Sequence, residues 1–384
     1  MNSAPKVCVA ILGVLAGCLP AARAQTLYPL TNIYTFRGGV DGSDPASALT
    51  QGTDGNFYGT TEFGSTIFRL TPTGVLTTLY AFDGRDGSSP DTPLIESNGF
   101  FYGATAFGGP DYRAKGPSMN SGYGTIFRLG PDGELKTLAH FEASDRHPIS
   151  LVLAPDGNFY GTTSTGISPV GESPGAGSGV VFRVSPDGTL KILHSFRYNL
   201  GPLVAAQNGY LYGAVTDGGA HKAGSVFRIS TNGEFTSIYD FTAPHQQPRL
   251  QFQGADGAFY GIIGMIDSQP SGDIFRLTGK GEFSILHSFN FHKVGNGPAV
   301  LIKALNGNFY GTAGQTNYAA TPNGEVITSN YLIYELTPGG VVTPLRRFIN
   351  ARIPATLFQA TDGNLYCTEV NKYYGGVFRI NLTP

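Results

Sequence analysis

The residues with the most chemical potential are seven histidines, several aspartate-rich loops and one isolated cysteine. His140, His194 and His287 fall in the repeated position of Tyr80 and Tyr239, so they are expected to be structural. His147, His221, His245 and His292 lie in long connections between repeated segments. None has the His-x-x-x-His or His-Glu-x-x-His spacing that presents two imidazoles to zinc. Asp83 to Asp91 and Asp41 to Asp44 supply carboxylates of the kind a hard cation wants. Neither run has the spacing of an EF-hand loop, and Asp, Gly and Ser are also the ordinary turn formers. Gly175 to Gly179 resembles a fragment of a phosphate loop. It lacks the lysine and the following helix, so a linker is the better reading. Cys367 has no adjacent histidine in sequence and fits a small buried strand residue better than a reactive thiol. No catalytic residue, cofactor site or metal site is assigned from these features.

What must position these residues is a repeat. Asp54-Gly55-Asn56-Phe57-Tyr58-Gly59 recurs near Tyr102, Tyr160, Tyr212, Tyr260, Tyr310 and Tyr366. The spacing, roughly 44 to 58 residues, marks a solenoid, a propeller or an array. Each unit has four strand-length parts. An apolar run, usually opened by proline, comes first. The Phe-Tyr-Gly-Thr segment follows an Asp-Gly or Asn-Gly turn. Third comes Ile67-Phe68-Arg69-Leu70 with its copies, and last a segment closing like Leu79-Tyr80-Ala81-Phe82. Asp-Gly and Asn-Gly between apolar runs are the strongest short hairpin signal. Nothing after residue 24 sustains a helical period.

Four-stranded units repeated radially make a β-propeller. Parts one to three occur seven times, and part four follows them only six times. The missing copy is at the other end, where Leu30 to Phe36 has the closing pattern of part four. The fold expected is all-β: one seven-bladed propeller of four-stranded blades over residues 25–384, closed by the N-terminal strand. Closure removes the open edges that invite aggregation, and a monomer is expected. The tight turns should form one face and the variable connections the other, with insertions at Phe107 to Gly124, Ser164 to Gly179 and Ala313 to Asn330. The seven tyrosines are expected to pack between blades. The arginines matching Arg69 should pair between blades, with Glu335 taking their place in blade six.

The order Asp-Gly-Asn-Phe-Tyr-Gly-Thr-Thr, then Gly-Thr-Ile-Phe-Arg-Leu, then Pro-Asp-Gly-x-Leu resembles the GloVer tandem repeat. That repeat belongs to exported bacterial proteins with a choice of C-terminal anchors. The resemblance covers nearly all of residues 27 to 381 and implies an exported, propeller-like protein. It implies no activity. No anchor or sorting tail follows Ile380, a departure from the family habit.

The N-terminus fits export. Lys6 precedes a short apolar core, and Ala22-Arg23-Ala24 is an A-x-A cleavage site. Residues 1–24 are therefore expected to be removed, leaving a secreted, periplasmic or cell-surface protein. The alternative is lipidation at Cys18, since Leu15-Ala16-Gly17-Cys18 resembles a lipobox. After cleavage at Ala24 only Cys367 remains, so no intramolecular disulfide is expected. The apolar run is too short to span a bilayer. With a formal net charge of −2 and no basic stripe, nucleic acid is not an expected partner.

If the first part of each unit lines the axis, the residues before its proline ring the channel mouth. These are Asp44, Thr92, His147, Gly201, Gln247, Gly297 and Ile353, with Asp91 and Asp145 close by. They differ from blade to blade, unlike the packing positions. Asp44, Asp91, His147 and Gln247, with the aromatics Tyr112 and Tyr318, are the candidate binding residues, and Tyr123 is a third aromatic candidate. A polysaccharide or a partner protein is the expected ligand. The alternatives are a propeller enzyme of hydrolase, lyase or lactonase type with its site at the mouth, and a purely structural surface protein.

Overall fold

The computed structural model describes residues 28–382 except 46, 114–120, 144, 165–178, 243–246, 265–271, 290–296, 322–323, 350–352 and 371–373. The expected export segment, His245, His292 and most of the blade-three insertion lie outside the described residues. Six sheets of four antiparallel strands run in simple chain order, and a seventh takes its outer strand from the N-terminus. Blade one shows the pattern: Thr50–Gln51, Phe57–Thr61, Thr66–Leu70 and Leu76–Ala81. In blade seven the first strand is split into Ile353–Pro354 and Phe358–Gln359, both paired with Leu365–Val370. The one helical element among the described residues is a single 3-10 turn, Gly39–Asp41.

First strands of neighbouring blades pack on one another, as Val204–Ala205 does on Pro248–Gln253 and Pro248–Gln253 on Pro298–Lys303. They therefore line the axis. Second strands are buried along their length, with every residue of Phe57–Thr61 in the core. The repeated tyrosine shows why. Tyr58 stacks on Phe101 of the next blade at 4.0 Å, Tyr102 on Phe159 at 4.3 Å and Tyr212 on Phe259 at 4.0 Å. Each such pair adds about 0.5–1.5 kcal/mol beyond the area it buries. The glycine after the tyrosine makes room chiefly for a ring on the next strand. A Cβ on Gly59 would lie 2.6 Å from the Phe68 ring. Cys367, in the same position, faces Phe378 and is fully buried, and burial pushes its thiol pKa up.

Leu30–Thr35 pairs antiparallel with Gly376–Ile380 and completes blade seven. The contacts across this closure match those elsewhere in the ring. Tyr366 of blade seven meets Phe57 of blade one at 4.4 Å. The turn glycine Gly74 abuts the Ile33 carbonyl as Gly133 abuts that of Leu79 and Gly188 that of Leu138.

Three expectations are corrected. The blade-six insertion is a long hairpin rather than a loop: Phe309–Thr321 and Gly324–Leu336 stay paired to Thr321–Gly324. His140 occupies the position of Ala81, because Thr66 faces Ala81 and Thr125 faces His140; Ala139 holds the tyrosine position. His194 and His287 do match Tyr80. The repeated arginines interact within their own blade. Arg276 pairs with Asp256 at 2.8 Å, and Arg128 lies over the Phe100 ring at 4.4 Å.

Candidate functional site at the variable-face mouth

At the variable face, the inner strands of five blades are entered through a residue whose carbonyl accepts from the end of the second strand. The bonds are Glu62 N–H to Asp44 O, Ala106 to Ser89, Ser164 to His147 and Thr216 to Asn199, each 3.0 Å, with Gly314 to Gly297 at 3.1 Å. The next residue wedges against the preceding blade. A Cβ on Gly124 would sit 2.7 Å from Pro148, and one on Gly224 would sit 2.6 Å from Pro248.

This register corrects two members of the expected ring. Blade two has two prolines, and the first, Pro90, is the wedge, so Ser89 holds the mouth position. Thr92 is buried one layer down, where its hydroxyl accepts from the Ala104 N–H at 2.9 Å. In blade four Leu200 replaces the wedge proline and Asn199 holds the mouth position, while Gly201 is paired inside the blade with Ala214.

Asp44, Ser89, His147 and Gln247 all have left-handed backbone, with φ of 60°, 52°, 61° and 38°. Holding a residue with a side chain there costs about 1–3 kcal/mol, and such strain gathers at functional sites. Four different side chains bear it at one structural position.

Asp44, Glu62 and Asp91 form an acidic arc across blades one and two. Oδ1 of Asp44 and Oδ1 of Asp91 are buried without a hydrogen-bond partner. Burial raises the pKa of Asp44. Burial and the neighbouring Asp44 charge raise that of Glu62. Asp91 is pushed up to about 7, first by burial and then by Glu62, against one backbone hydrogen bond. Glu62 escaped sequence reasoning because it sits in a short connection with no repeat signature; the strand register is what brings it beside Asp44.

Beyond this arc the mouth turns cationic. Arg146 has a buried, unpartnered Nε. His147 packs edge-on against Phe107 at 4.6 Å, and burial, then the Arg146 charge, lowers its pKa. In blade five, next to Gln247, the Arg249 guanidinium lies beside Gly264 at the end of the second strand. Arg249 is open to solvent yet flanked by protein, and the resulting desolvation lowers its pKa. It too was missed by sequence, since no counterpart repeats.

The other candidates fall elsewhere. Tyr112 is half-buried, its ring laid over Gly84, and Tyr123 packs on the core of blades two and three, so neither is an exposed platform. Tyr318 lies in the long hairpin opposite Ile327, and its side chain is outside the described residues. Asp41 accepts from the Tyr34 hydroxyl and Arg37 N–H, Asp86 from the Tyr80 hydroxyl and Asp83 N–H, and Asp145 from Glu142 N–H. These loop carboxylates fasten turns. Among the described residues no cluster of three His, Cys, Asp or Glu could hold a metal ion.

The opposite mouth, on the tight-turn face, is built differently. Cavities of about 590 and 380 Å³ open there among the inner strands. Their repeated polar residues are satisfied within the fold. Gln51 accepts from Thr361 N–H of the previous blade at 2.9 Å and donates to Gly55 O at 3.2 Å. Gln253 and Gln359 make the same two bonds, and Glu96 accepts from the Thr53 N–H and hydroxyl.

Comparison with known proteins agrees with this architecture. A streptogramin B lyase structure superposes with a TM-score of 0.62 at 15% identity, over 94% of this chain and 100% of that one. A catalytically inactive virginiamycin B lyase from Staphylococcus aureus, solved with quinupristin, gives 0.64 at 15% identity, over 93% and 100%. At this identity the likeness shows the fold alone. No curated protein matches the sequence. The model of the Gloeobacter/Verrucomicrobia repeat matches residues 21–146, 112–327 and 205–384. With the repeat matched from residue 21 to the last, the chain belongs to the Gloeobacter/Verrucomicrobia repeat family.

Proposed function

We propose that the protein is an exported binding propeller, acting outside the cytoplasm after cleavage near Ala24, that takes its ligand at the variable-face mouth. A polysaccharide or a partner protein is the ligand class. One contrast carries this reading: buried carboxylate oxygens lack partners at that mouth, while the repeated glutamines of the other mouth are bonded inside the fold. A buried acceptor without a partner costs about 1–3 kcal/mol, and a ligand that donates hydrogen bonds recovers that cost. The test is a glycan array, with a pull-down beside it, comparing wild type with an Asp44→Ala/Asp91→Ala/His147→Ala variant. Binding should weaken with no fall in melting temperature. Unchanged affinity would place the site elsewhere.

Asp91 favours a second reading. A carboxyl with a pKa of about 7 can give or take a proton at neutral pH, as a lyase-, lactonase- or hydrolase-type propeller requires. Turnover of any substrate in a hydrolase and lyase panel, abolished by Asp91→Asn, would establish this reading over simple binding.

A further inference from the structure

We propose that the cleft between the outer strands of blades three and four is a second ligand site, separate from the mouth, that takes a neutral pyranose ring of a polysaccharide. The cleft holds about 400 Å³, within the range of roughly 300–1,000 Å³ typical of ligand pockets. Its floor is aromatic. The His194 ring lies parallel to Phe235, with centroids 5.0 Å apart and planes 11° apart. Phe235 is 41% exposed. Its counterparts Leu76, Leu135, Leu190, Phe283 and Val342, at the start of other outer strands, are all half-buried. The open ring is therefore particular to this seam and is not demanded by the repeat.

The walls are shaped by two consecutive glycines. A Cβ on Gly218 would lie 2.8 Å from the Tyr198 ring, and one on Gly219 would lie 2.5 Å from Asp240 Oδ1. Their absence lets Tyr198 close one side and the Asp240 carboxylate reach the other. Asp240 is fixed by the Ala220 N–H at 3.2 Å and the Ser237 hydroxyl at 3.3 Å. An ionised carboxylate offers about four acceptor sites, so Asp240 retains capacity for two more donors. The matching positions in other blades are Ala81, His140, Ser195 and Ser288, none of them acidic.

A pyranose ring presents one apolar C–H face and a rim of hydroxyls. The electron-rich face of an aromatic ring attracts the former, and an oriented carboxylate at its edge accepts from the latter. Asp240 and Arg197 both line the cleft, so it carries no net charge that would call for an ionic sugar.

Saturation-transfer NMR on the purified protein with laminarihexaose, cellohexaose and mannohexaose tests the site. At least one hexasaccharide should receive saturation on its ring protons. Its affinity should fall about tenfold in Phe235→Ala, the size expected for a lost stacking contact. Asp240→Asn should weaken binding too; it is nearly isosteric and keeps the test valid if Phe235→Ala fails to fold. Phe235→Ala should weaken binding by the same factor in an Asp44→Ala/Asp91→Ala background, where the mouth no longer contributes. Silence from all three sugars overturns the proposal. So does unchanged binding in Asp240→Asn, or binding lost only in the mouth variant.

Discussion

The turn before each second strand and one residue of the third strand vary together. Where the turn is Asp-Gly, arginine stands opposite: Arg276 pairs with Asp256 at 2.8 Å. Asp54, Asp156 and Asp362 are held below the ordinary carboxylate value; burial opposes this, but bonds from the asparagine two residues on and from the motif tyrosine, with the facing arginine charge, prevail. Where the turn is Asn-Gly followed by an aromatic residue, arginine stacks instead, Arg128 over Phe100 at 4.4 Å and Arg228 over Tyr210 at 4.9 Å. In blade six the partners exchange roles, and Asn306 and Asn308 both donate to Glu335. Glu335→Arg alone should cost about 1 kcal/mol, and adding Asn306→Asp should restore most of it, with a coupling of about 0.5–1 kcal/mol in denaturant unfolding. Strictly additive effects would show that the pairing is incidental. The exchange at Glu335 was legible in sequence, but its partners were not, because repetition says which residues are equivalent and not which blade they face.

At the scale of the element, the turns set how closely blades approach. Gly188 joins the third and outer strands of blade three with φ of 101°, and a Cβ there would sit 2.5 Å from the Leu138 carbonyl of blade two. Gly157, in the turn before the second strand, has φ of 80° but open space around it. Gly157→Ala should therefore cost only backbone strain, about 1 kcal/mol. Gly188→Ala adds a collision between blades and should cost about 2–4 kcal/mol. Equal losses in denaturant midpoints would mean the blades can part without penalty. Strand order and turn type were plain in the sequence because hairpin chemistry is local. The register at the inner strands was not. Pro93 and Pro202 look like the wedge prolines, and only the hydrogen-bond register with the second strand, Ala106 to Ser89 and Thr216 to Asn199, identifies Pro90 and Leu200 in that role. Thr92 and Gly201 were placed at the mouth as a result, in the positions that Ser89 and Asn199 hold, and the long hairpin of blade six passed for a loop for want of an alternating apolar pattern.

As a whole molecule, the propeller is a ring with two dissimilar mouths. On the tight-turn side, glutamines staple blades one, five and seven to the blade before, Gln51 joining blade one to blade seven. On the variable side, Asp44, Glu62 and Asp91 are crowded and partly buried, and each of the two aspartates keeps a buried oxygen without a hydrogen-bond partner. The difference has a pH signature. Asp91 has a higher pKa folded, about 7, than its ordinary 3.8. Between those values the folded protein holds the proton more tightly than the unfolded chain, so this residue's contribution to stability falls as pH rises through the window. The loss is at most about 4 kcal/mol, taking about 1.4 kcal/mol per pKa unit. Asp54, Asp156, Asp256 and Asp362 act in the opposite sense, losing their contribution as pH falls below the ordinary carboxylate value. The most direct measurement is a residue-resolved carboxyl titration by carbon-13 NMR, wild type beside Asp91→Asn. Asp91 should titrate near 7 while the four turn aspartates titrate below 3.8, and Asp91→Asn should be more stable than wild type at pH 8, with the gain vanishing toward pH 4. An Asp91 that titrates with the turn aspartates, in a variant no more stable at pH 8, would contradict an unsatisfied mouth poised for a ligand.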